Sequence, residues 1–141
     1  INLKLRAALT AGLRPIFCVG ESLGEREENE TQAVIEGQLK EGLNNFTADD
    51  IGAFIIAYEP VWAIGTGKTA SPAQAEEVHR FIRGWIAGRY GRELSSALAI
   101  LYGGSVTPKN IADLMAEPDI NGALVGGASL DIDSFVRIIG Y

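Results

Sequence analysis

Residues 57–70 read Ala57-Tyr58-Glu59-Pro60-Val61-Trp62-Ala63-Ile64-Gly65-Thr66-Gly67-Lys68-Thr69-Ala70. An apolar run, residues 54–60 (FIIAYEP), ends in a carboxylate and a proline, and two closely spaced glycines and a lysine follow. Ile55, Ile56 and Ala57 precede Glu59, and Val61 and Trp62 follow Pro60, so the carboxylate is expected in surroundings poor in water. Desolvation raises a carboxylate's pKa towards the range useful for a general base. A solvated or arginine-paired glutamate is the plainer alternative. Pro60 fixes φ at one edge of the loop. Val61, Trp62 and Ile64 make an apolar tip, and Gly65 and Gly67 permit a tight path with exposed N–H groups. Lys68, Thr69 and Ala70 form the far edge. Such a loop fits a lid or a static surface loop equally well.

Three further short apolar runs share the character of the first: residues 15–20 (PIFCVG), 97–104 (ALAILYGG) and 122–127 (GALVGG). Each is continuous rather than alternating, the pattern of strands covered on both faces in a parallel sheet. Helical patterns lie between them. Residues 30–44 carry Val34, Ile35, Leu39 and Leu43 on one stripe. Residues 71–90 open with Ser71 as N-cap, Pro72 at the first helical position and Gln74 completing a capping box, and Val78, Phe81, Ile82, Trp85 and Ile86 line one face. Thr107-Pro108 repeats the cap-then-proline start, a last helix is expected near residues 131–139, and residues 1–12 read as a helix tail closed by Gly12.

Strict β/α alternation predicts parallel strands with right-handed crossovers, in a doubly wound sheet or a (β/α)8 barrel. Both gather ligands at the C-terminal ends of the strands. Tyr102-Gly103-Gly104-Ser105-Val106 ends the third run, and Val125-Gly126-Gly127-Ala128-Ser129 ends the fourth. Either glycine pair alone suggests only a turn. On successive strands they match the phosphate site that barrels build after strands 7 and 8, which favours the barrel. The fold expected is α/β: one domain over residues 1–141 supplying four βα units, about half of a TIM barrel.

The chain has 141 residues, is 47% hydrophobic and 21% charged, and carries a net charge of −6. That balance argues against nucleic acid and anionic membrane as partners. No apolar run has the length of a membrane span. The single cysteine, Cys18, cannot form an internal disulfide, which points to a reducing, cytoplasmic compartment, and its place in an apolar strand predicts a core position. His79, mid-helix between Val78 and Arg80, reads as a packing or surface residue. No cluster has metal-ligand spacing, so no metal is expected. Gly67-Lys68-Thr69 is not a P-loop, because the first glycine of that motif would fall at Trp62. The chain opens at Ile1 inside a helical pattern, which reads as a piece of a longer protein.

The stretch from Ala57 to Ala70, together with PIFCVGE, YGGSV and LVGGASL, closely resembles triosephosphate isomerases, over the whole chain. The resemblance implies a C-terminal half-barrel, strands 5 to 8, and cofactor-free interconversion of dihydroxyacetone phosphate and glyceraldehyde 3-phosphate. Glu59 matches the base of that family. Pro60, Val61, Trp62, Ala63, Ile64, Gly67, Lys68, Thr69 and Ala70 fall in its lid. Gly65, Ser105, Gly126 and Gly127 match its phosphate-binding groups. Tyr102 resembles the lid latch near Ala70. Trp62 resembles a lid tryptophan that exchanges Tyr58 for Glu21 on closure, and Arg83 and Asp119 a structural ion pair. The family also uses an asparagine and a lysine after strand 1 and a histidine after strand 4, none of which falls in these residues. The chain alone is therefore expected to be inactive. The resemblance further implies a homodimer for the complete enzyme and roles in glycolysis and gluconeogenesis. For the isolated chain, pairing with an N-terminal half or with a second copy is expected, the latter a purely structural alternative. A different phosphate-binding barrel enzyme is disfavoured by YEPVWAIGTG.

Overall fold

The structure, a computed structural model, describes residues 1–64 and 68–141. Element order is α1 (Asn2–Thr10), β1 (Ile16–Val19), α2 (Leu23–Glu27), α3 (Thr31–Gly42), α4 (Ala48–Gly52), β2 (Ile55–Tyr58), α5 (Pro72–Tyr90), α6 (Arg92–Ala97), β3 (Ile100–Tyr102), α7 (Ile111–Met115) and α8 (Ile132–Ile139). The strands form one parallel sheet in the order β1-β2-β3. Register sets Val19 beside Tyr58 and Tyr58 beside Tyr102, so the strands end level. This is the α/β pattern of a partial barrel.

Helix starts follow local chemistry. Ser71 and Gln74 form the reciprocal capping box that opens α5, with Pro72 in the first turn. Ser22 with Glu25 and Thr47 with Asp50 open α2 and α4 in the same way. Gly12, at φ 72°, ends the segment after α1, a conformation that L side chains resist. Helices α3 and α5 pack against each other and against the outer face of the sheet. Ile35 and Leu39 from α3, Ile82 and Ile86 from α5, and Ile56, Tyr58 and Ile100 from the strands are all fully buried there.

Three expectations need correction, and three short helices lie beyond the sequence patterns. Residues 122–127 form no strand; they meet β3 only through an isolated bridge between Tyr102 and Ala123. A strand needs a ladder, and this run has one on neither side. Burial on both faces fails for β1, where Phe17 and Val19 are buried while Ile16 and Cys18 are exposed. Cys18 is therefore not a core residue: it is exposed on the inner face of the sheet, at the edge strand. The helix expected from Pro108 begins at Ile111, because the Asn110 side chain accepts from the Thr107 N–H and holds residues 108–110 in a turn. Finally, α2, α4 and α6 are short helices that no apolar stripe announced.

Candidate active site

Glu59 is the first residue beyond β2. Its N–H donates to the Val19 carbonyl at 2.8 Å, and the Gly103 N–H donates to the Tyr58 carbonyl at 2.7 Å, so ladder bonds from both neighbouring strands hold this strand end. The fit is close. A Cβ on Gly20 would lie 1.7 Å from the Glu59 carbonyl oxygen, and one on Gly103 would lie 2.4 Å from Glu59 Cγ. Glycine at both positions is a requirement of packing here. Gln38 of α3 locks Gly20 from behind with two bonds of 2.8 Å, one accepted from its N–H and one donated to its carbonyl.

Glu59 is half-buried at the inner side of the sheet rather than fully withdrawn from solvent. A cleft of about 470 Å³ opens there beside the free edge of β1, lined by Cys18, Gly20, Gln38, Glu59 and Val61 among others. Partial burial, and then the charge of Glu59 and a hydrogen bond to it, push the Cys18 thiol up to about 11.

The loop after Glu59 starts rigidly. Pro60 is buried, Val61–Ala63 make one 3-10 turn, and Ala63 is buried beneath it. Val61 and Ile64 are about half exposed, as an apolar tip requires. Trp62 Nε1 donates to Glu21 Oε1 at 3.0 Å, and the Tyr58 hydroxyl donates to the same oxygen at 3.0 Å. Arg26 pairs with that oxygen at 3.1 Å and lies over the Trp62 ring at 5.2 Å. Glu21 is fully buried, so an apolar strand end carries a buried anion with its donors supplied by the loop root and α2. Burial, reinforced by Glu21, raises the Tyr58 phenol far above its ordinary range. Lys68 and Thr69 are exposed and Ala70 is buried. Gly65 and Gly67, together with Thr66, lie outside the described residues.

Burial also raises the Tyr102 phenol; the Ala70 N–H faces it and opposes the rise, short of full hydrogen-bond geometry. Beyond Tyr102, the bridge to Ala123 brings the two glycine-rich loops side by side: the Tyr102 N–H donates to Gly122, and the Leu124 N–H donates to Tyr102. Ser105 is half-buried, with its carbonyl accepting from Asn110 Nδ2 at 3.0 Å. Gly126 and Gly127 are exposed at the start of the 3-10 turn Gly127–Leu130, where Ser129 bonds back to the Gly126 carbonyl through its N–H and hydroxyl. Five of the positions singled out in the sequence, Glu59, Tyr102, Ser105, Gly126 and Gly127, thus leave three neighbouring segments at one end of the sheet.

A polar hub ties α5 to the segments that precede β3 and residue 122. Arg83 donates to Asp119 Oδ1 at 2.6 Å, and also to the carbonyls of Ser95, Leu98 and Asp119 and to Asn121 Oδ1. Glu76 accepts from the Asp119 N–H and from Arg80; its burial raises its pKa against those bonds. His79 is fully buried, with Nδ1 at 3.3 Å from the Asp119 carbonyl, and desolvation lowers it to about 4. Of the two readings held open for His79, packing is the one that holds. Sequence reasoning missed Gln38 altogether. Its signal was present: it stands with Ile35, Leu39 and Gly42 on one helical stripe, a polar residue on a buried face. Among the described residues, no group of three His, Cys, Asp or Glu side chains is placed to hold a metal. No helix among them is long and apolar enough to cross a membrane.

A level parallel sheet, helices on its outer face and functional groups at the C-terminal strand ends define a segment of a (β/α)8-barrel enzyme. The sequence model of the family described as Triosephosphate isomerase matches residues 1–141. The chain is 57% identical over 141 residues to the triosephosphate isomerase of Trichlorobacter lovleyi, covering 100% of this chain and 56% of that protein. It is 57% identical over 139 residues to that of Carboxydothermus hydrogenoformans, covering 99% and 55%. It is 52% identical over 141 residues to that of Chloroflexus aurantiacus, covering 100% and 56%. The chain belongs to the triosephosphate isomerase family, a family of isomerases, and spans little more than half the length of these relatives.

Proposed function

We propose that residues 1–141 are one domain, the C-terminal portion of a triosephosphate isomerase barrel, and that they supply its base, its lid and its phosphate loops. One observation carries this reading: Glu59 stands at the end of the central strand, clamped between Gly20 and Gly103, at the root of the Pro60 loop.

In the reaction, Glu59 takes a proton from one carbon of dihydroxyacetone phosphate and returns it to the neighbouring carbon, through an enediolate, to give glyceraldehyde 3-phosphate. Backbone N–H groups of Gly65, Ser105, Gly126 and Gly127 hold the phosphate. Closure of residues 60–70 over the site excludes water, which protects the enediolate from losing phosphate. Tyr102 latches the closed lid at Ala70, and Trp62 on Glu21 holds its other end. The oxyanion of the enediolate needs donors beyond these, and the lysine and histidine of the family lie in the N-terminal portion. One missing oxyanion donor costs on the order of 10²–10³ in rate, so this chain by itself is inactive. The complete protein is a cytoplasmic homodimer of glycolysis and gluconeogenesis that uses neither cofactor nor metal.

The test is a chimaera in which the N-terminal portion of the Trichlorobacter lovleyi relative precedes residue 1. Isomerase activity is expected in the chimaera and none above blank in the chain alone. Glu59→Gln in the chimaera is expected to lower kcat by about 10²–10⁴-fold, the usual range for removing a general base. A folded chimaera without activity, or one indifferent to Glu59→Gln, would sink the proposal.

A further inference from the structure

Gly20 follows β1, and the residues on either side of it hold the chain around the base. The Val19 carbonyl accepts from the Glu59 N–H at 2.8 Å, and the Glu21 carbonyl accepts from the Val61 N–H at 3.0 Å. Successive residues of an extended chain turn their peptide groups to opposite edges, so the N–H and carbonyl of Gly20 point away from β2. Among the described residues β1 pairs with β2 alone. The Gln38 side chain meets both groups instead, each at 2.8 Å: Oε1 accepts from the Gly20 N–H, and Nε2 donates to the Gly20 carbonyl. A side-chain amide offers the same kinds of donor and acceptor as a peptide unit, so Gln38 stands in for the peptide of a further strand.

On its other side Gly20 touches the base. An added Cβ would overlap the Glu59 carbonyl and come within 3.4 Å of Pro60 N. Residues 19–21 thus bracket residues 59–61, with a hydrogen bond at each end and a close contact between. A shift of Gly20 passes straight to the Glu59–Pro60 peptide, because packing this tight leaves no slack. Backbone N–H and carbonyl groups do not stay unbonded without cost, so Gly20 turns to new partners if Gln38 releases it. Helix α3 gives Gln38 a fixed mount. Ile35 and Leu39 on its stripe are fully buried, and a Cβ on Gly42, one turn further on, would overlap the Phe17 ring of β1.

We propose that Gln38 is a positioning residue for the base: by holding both peptide groups of Gly20, it fixes the Glu59–Pro60 peptide and so the point at which the carboxylate and the following loop leave β2. The proposal rests on the reading of Glu59 as the base and extends it to α3. Gln38 acts through Gly20 and not on the substrate.

Gln38→Met keeps the length of the side chain and removes both bonds. In the protein that carries this chain, kcat is expected to fall about tenfold or more with KM unchanged, since a displacement of about 1 Å at a reacting group costs on the order of 10²-fold. Gln38→Glu keeps the acceptor for the Gly20 N–H and drops only the donor; it is expected to lose less, and it carries the test if Gln38→Met does not fold. A folded variant with kcat within about threefold of its parent, or a loss confined to KM, overturns the proposal. Cys18, the single cysteine, gives a reading without catalysis. Burial first, and then the charge of Glu59 and a hydrogen bond to it, hold the thiol at about 11. Removing Gln38 loosens Glu59, so iodoacetamide is expected to label Cys18 severalfold faster in Gln38→Met. In a Glu59→Gln background the same substitution is expected to change nothing, because the effect travels through Glu59. No acceleration, or an equal one in both backgrounds, overturns the proposal. A parent without isomerase activity refutes the reading of the base, whereas the Cys18 cycle still decides whether Gln38 holds Glu59.

Discussion

Gly103→Ala asks whether Glu59 is the reacting group, because it moves that side chain and little else. The added Cβ would lie 2.4 Å from Glu59 Cγ, 3.0 Å from Oε1 and 3.2 Å from Cδ. Ordinary van der Waals contact begins at 3.4 Å, so the carboxylate must retreat by about 1 Å. The blocked atom is Cγ, near the root of the side chain, and the backbone behind it is tied to Val19, so rotation of the tip does not relieve the clash. Gly103 has no left-handed φ, so alanine adds no backbone strain of its own. A displacement of about 1 Å at a reacting group costs on the order of 10²-fold in rate, or about 2.7 kcal/mol of barrier. The assay is steady-state isomerisation by the chimaera, with its melting temperature measured alongside. A fall of about 100-fold, carried by kcat rather than KM, is expected. Gly24→Ala, where the added methyl meets nothing within 4 Å, is expected to leave the rate unchanged. A Gly103→Ala chimaera within threefold of its parent, at an unchanged melting temperature, would refute the placement of Glu59 at the reacting carbon.

Arg83→Met is expected to lower the unfolding free energy by about 2–4 kcal/mol in urea titrations. Asp119 and the carbonyls of Ser95 and Leu98 lose their donor, while the 18% and 19% side-chain exposure of the pair keeps the loss below that of a fully buried one. His79 makes stability acid-sensitive. Its folded-state pKa of about 4 lies below the ordinary value near 6.5, so the unfolded chain takes up the proton first. Stability therefore falls as pH drops from about 6.5 to about 4, by about 3 kcal/mol in all, because the ring packs among Tyr58, Tyr102 and the Asp119 carbonyl, with Arg83 opposing its charge. Urea midpoints across that interval are expected to lose this slope in His79→Leu; an unchanged slope refutes the assignment, and Glu76, raised by its own burial, is common to both proteins. Cys18 is exposed yet held at about 11, so iodoacetamide at pH 8 is expected to alkylate it about a hundredfold more slowly than an ordinary thiol. Glu59→Gln should speed that reaction in the isolated chain; equal rates would mean that Glu59 does not govern the thiol.

What could be read from the sequence is what local chemistry decides. Ser71, Pro72 and Gln74 specify the start of α5 within four residues, and the box forms as written. Glu59 followed by Pro60 marks a strand end without any knowledge of the neighbouring strands. The failures lie where the answer depends on a distant surface. Residues 122–127 have the composition of a strand, but composition does not supply a second strand to pair with. Cys18 sits in a continuous apolar run, which states that both faces are suited to burial, not that both are covered. The Glu21 site draws Tyr58 from 37 positions away and Trp62 from 41, a convergence that no periodicity encodes. Only the family resemblance singled out those three residues together, and it said nothing of Arg26 or Gln38.

The position of the base follows from the sheet itself. β2 is the central strand, and its register is fixed on one side by Val19 against Tyr58 and on the other by Tyr58 against Tyr102. A slip of one residue would turn Ile56 and Tyr58 out of the core and Glu59 into it, placing a carboxylate among apolar side chains such as Ile82 and Ile100 without a partner. The buried anion at this end is instead Glu21, which Arg26 pairs within its own segment and which Tyr58 and Trp62 reach from β2 and the loop in the observed register. The donors on Glu21 therefore do two things at once: they satisfy a buried charge, and they penalise every register that would move Glu59. A site built on a strand held from both sides keeps its carboxylate in place to within the tolerance of a ladder bond. On this argument, weakening Glu21 should disturb the base before it unfolds the domain. In the Glu21→Gln chimaera, kcat is expected to fall at least tenfold at pH 7 while the melting temperature drops by only a few degrees. Loss of folding in step with activity would show that Glu21 supports the domain as a whole and not the register of β2.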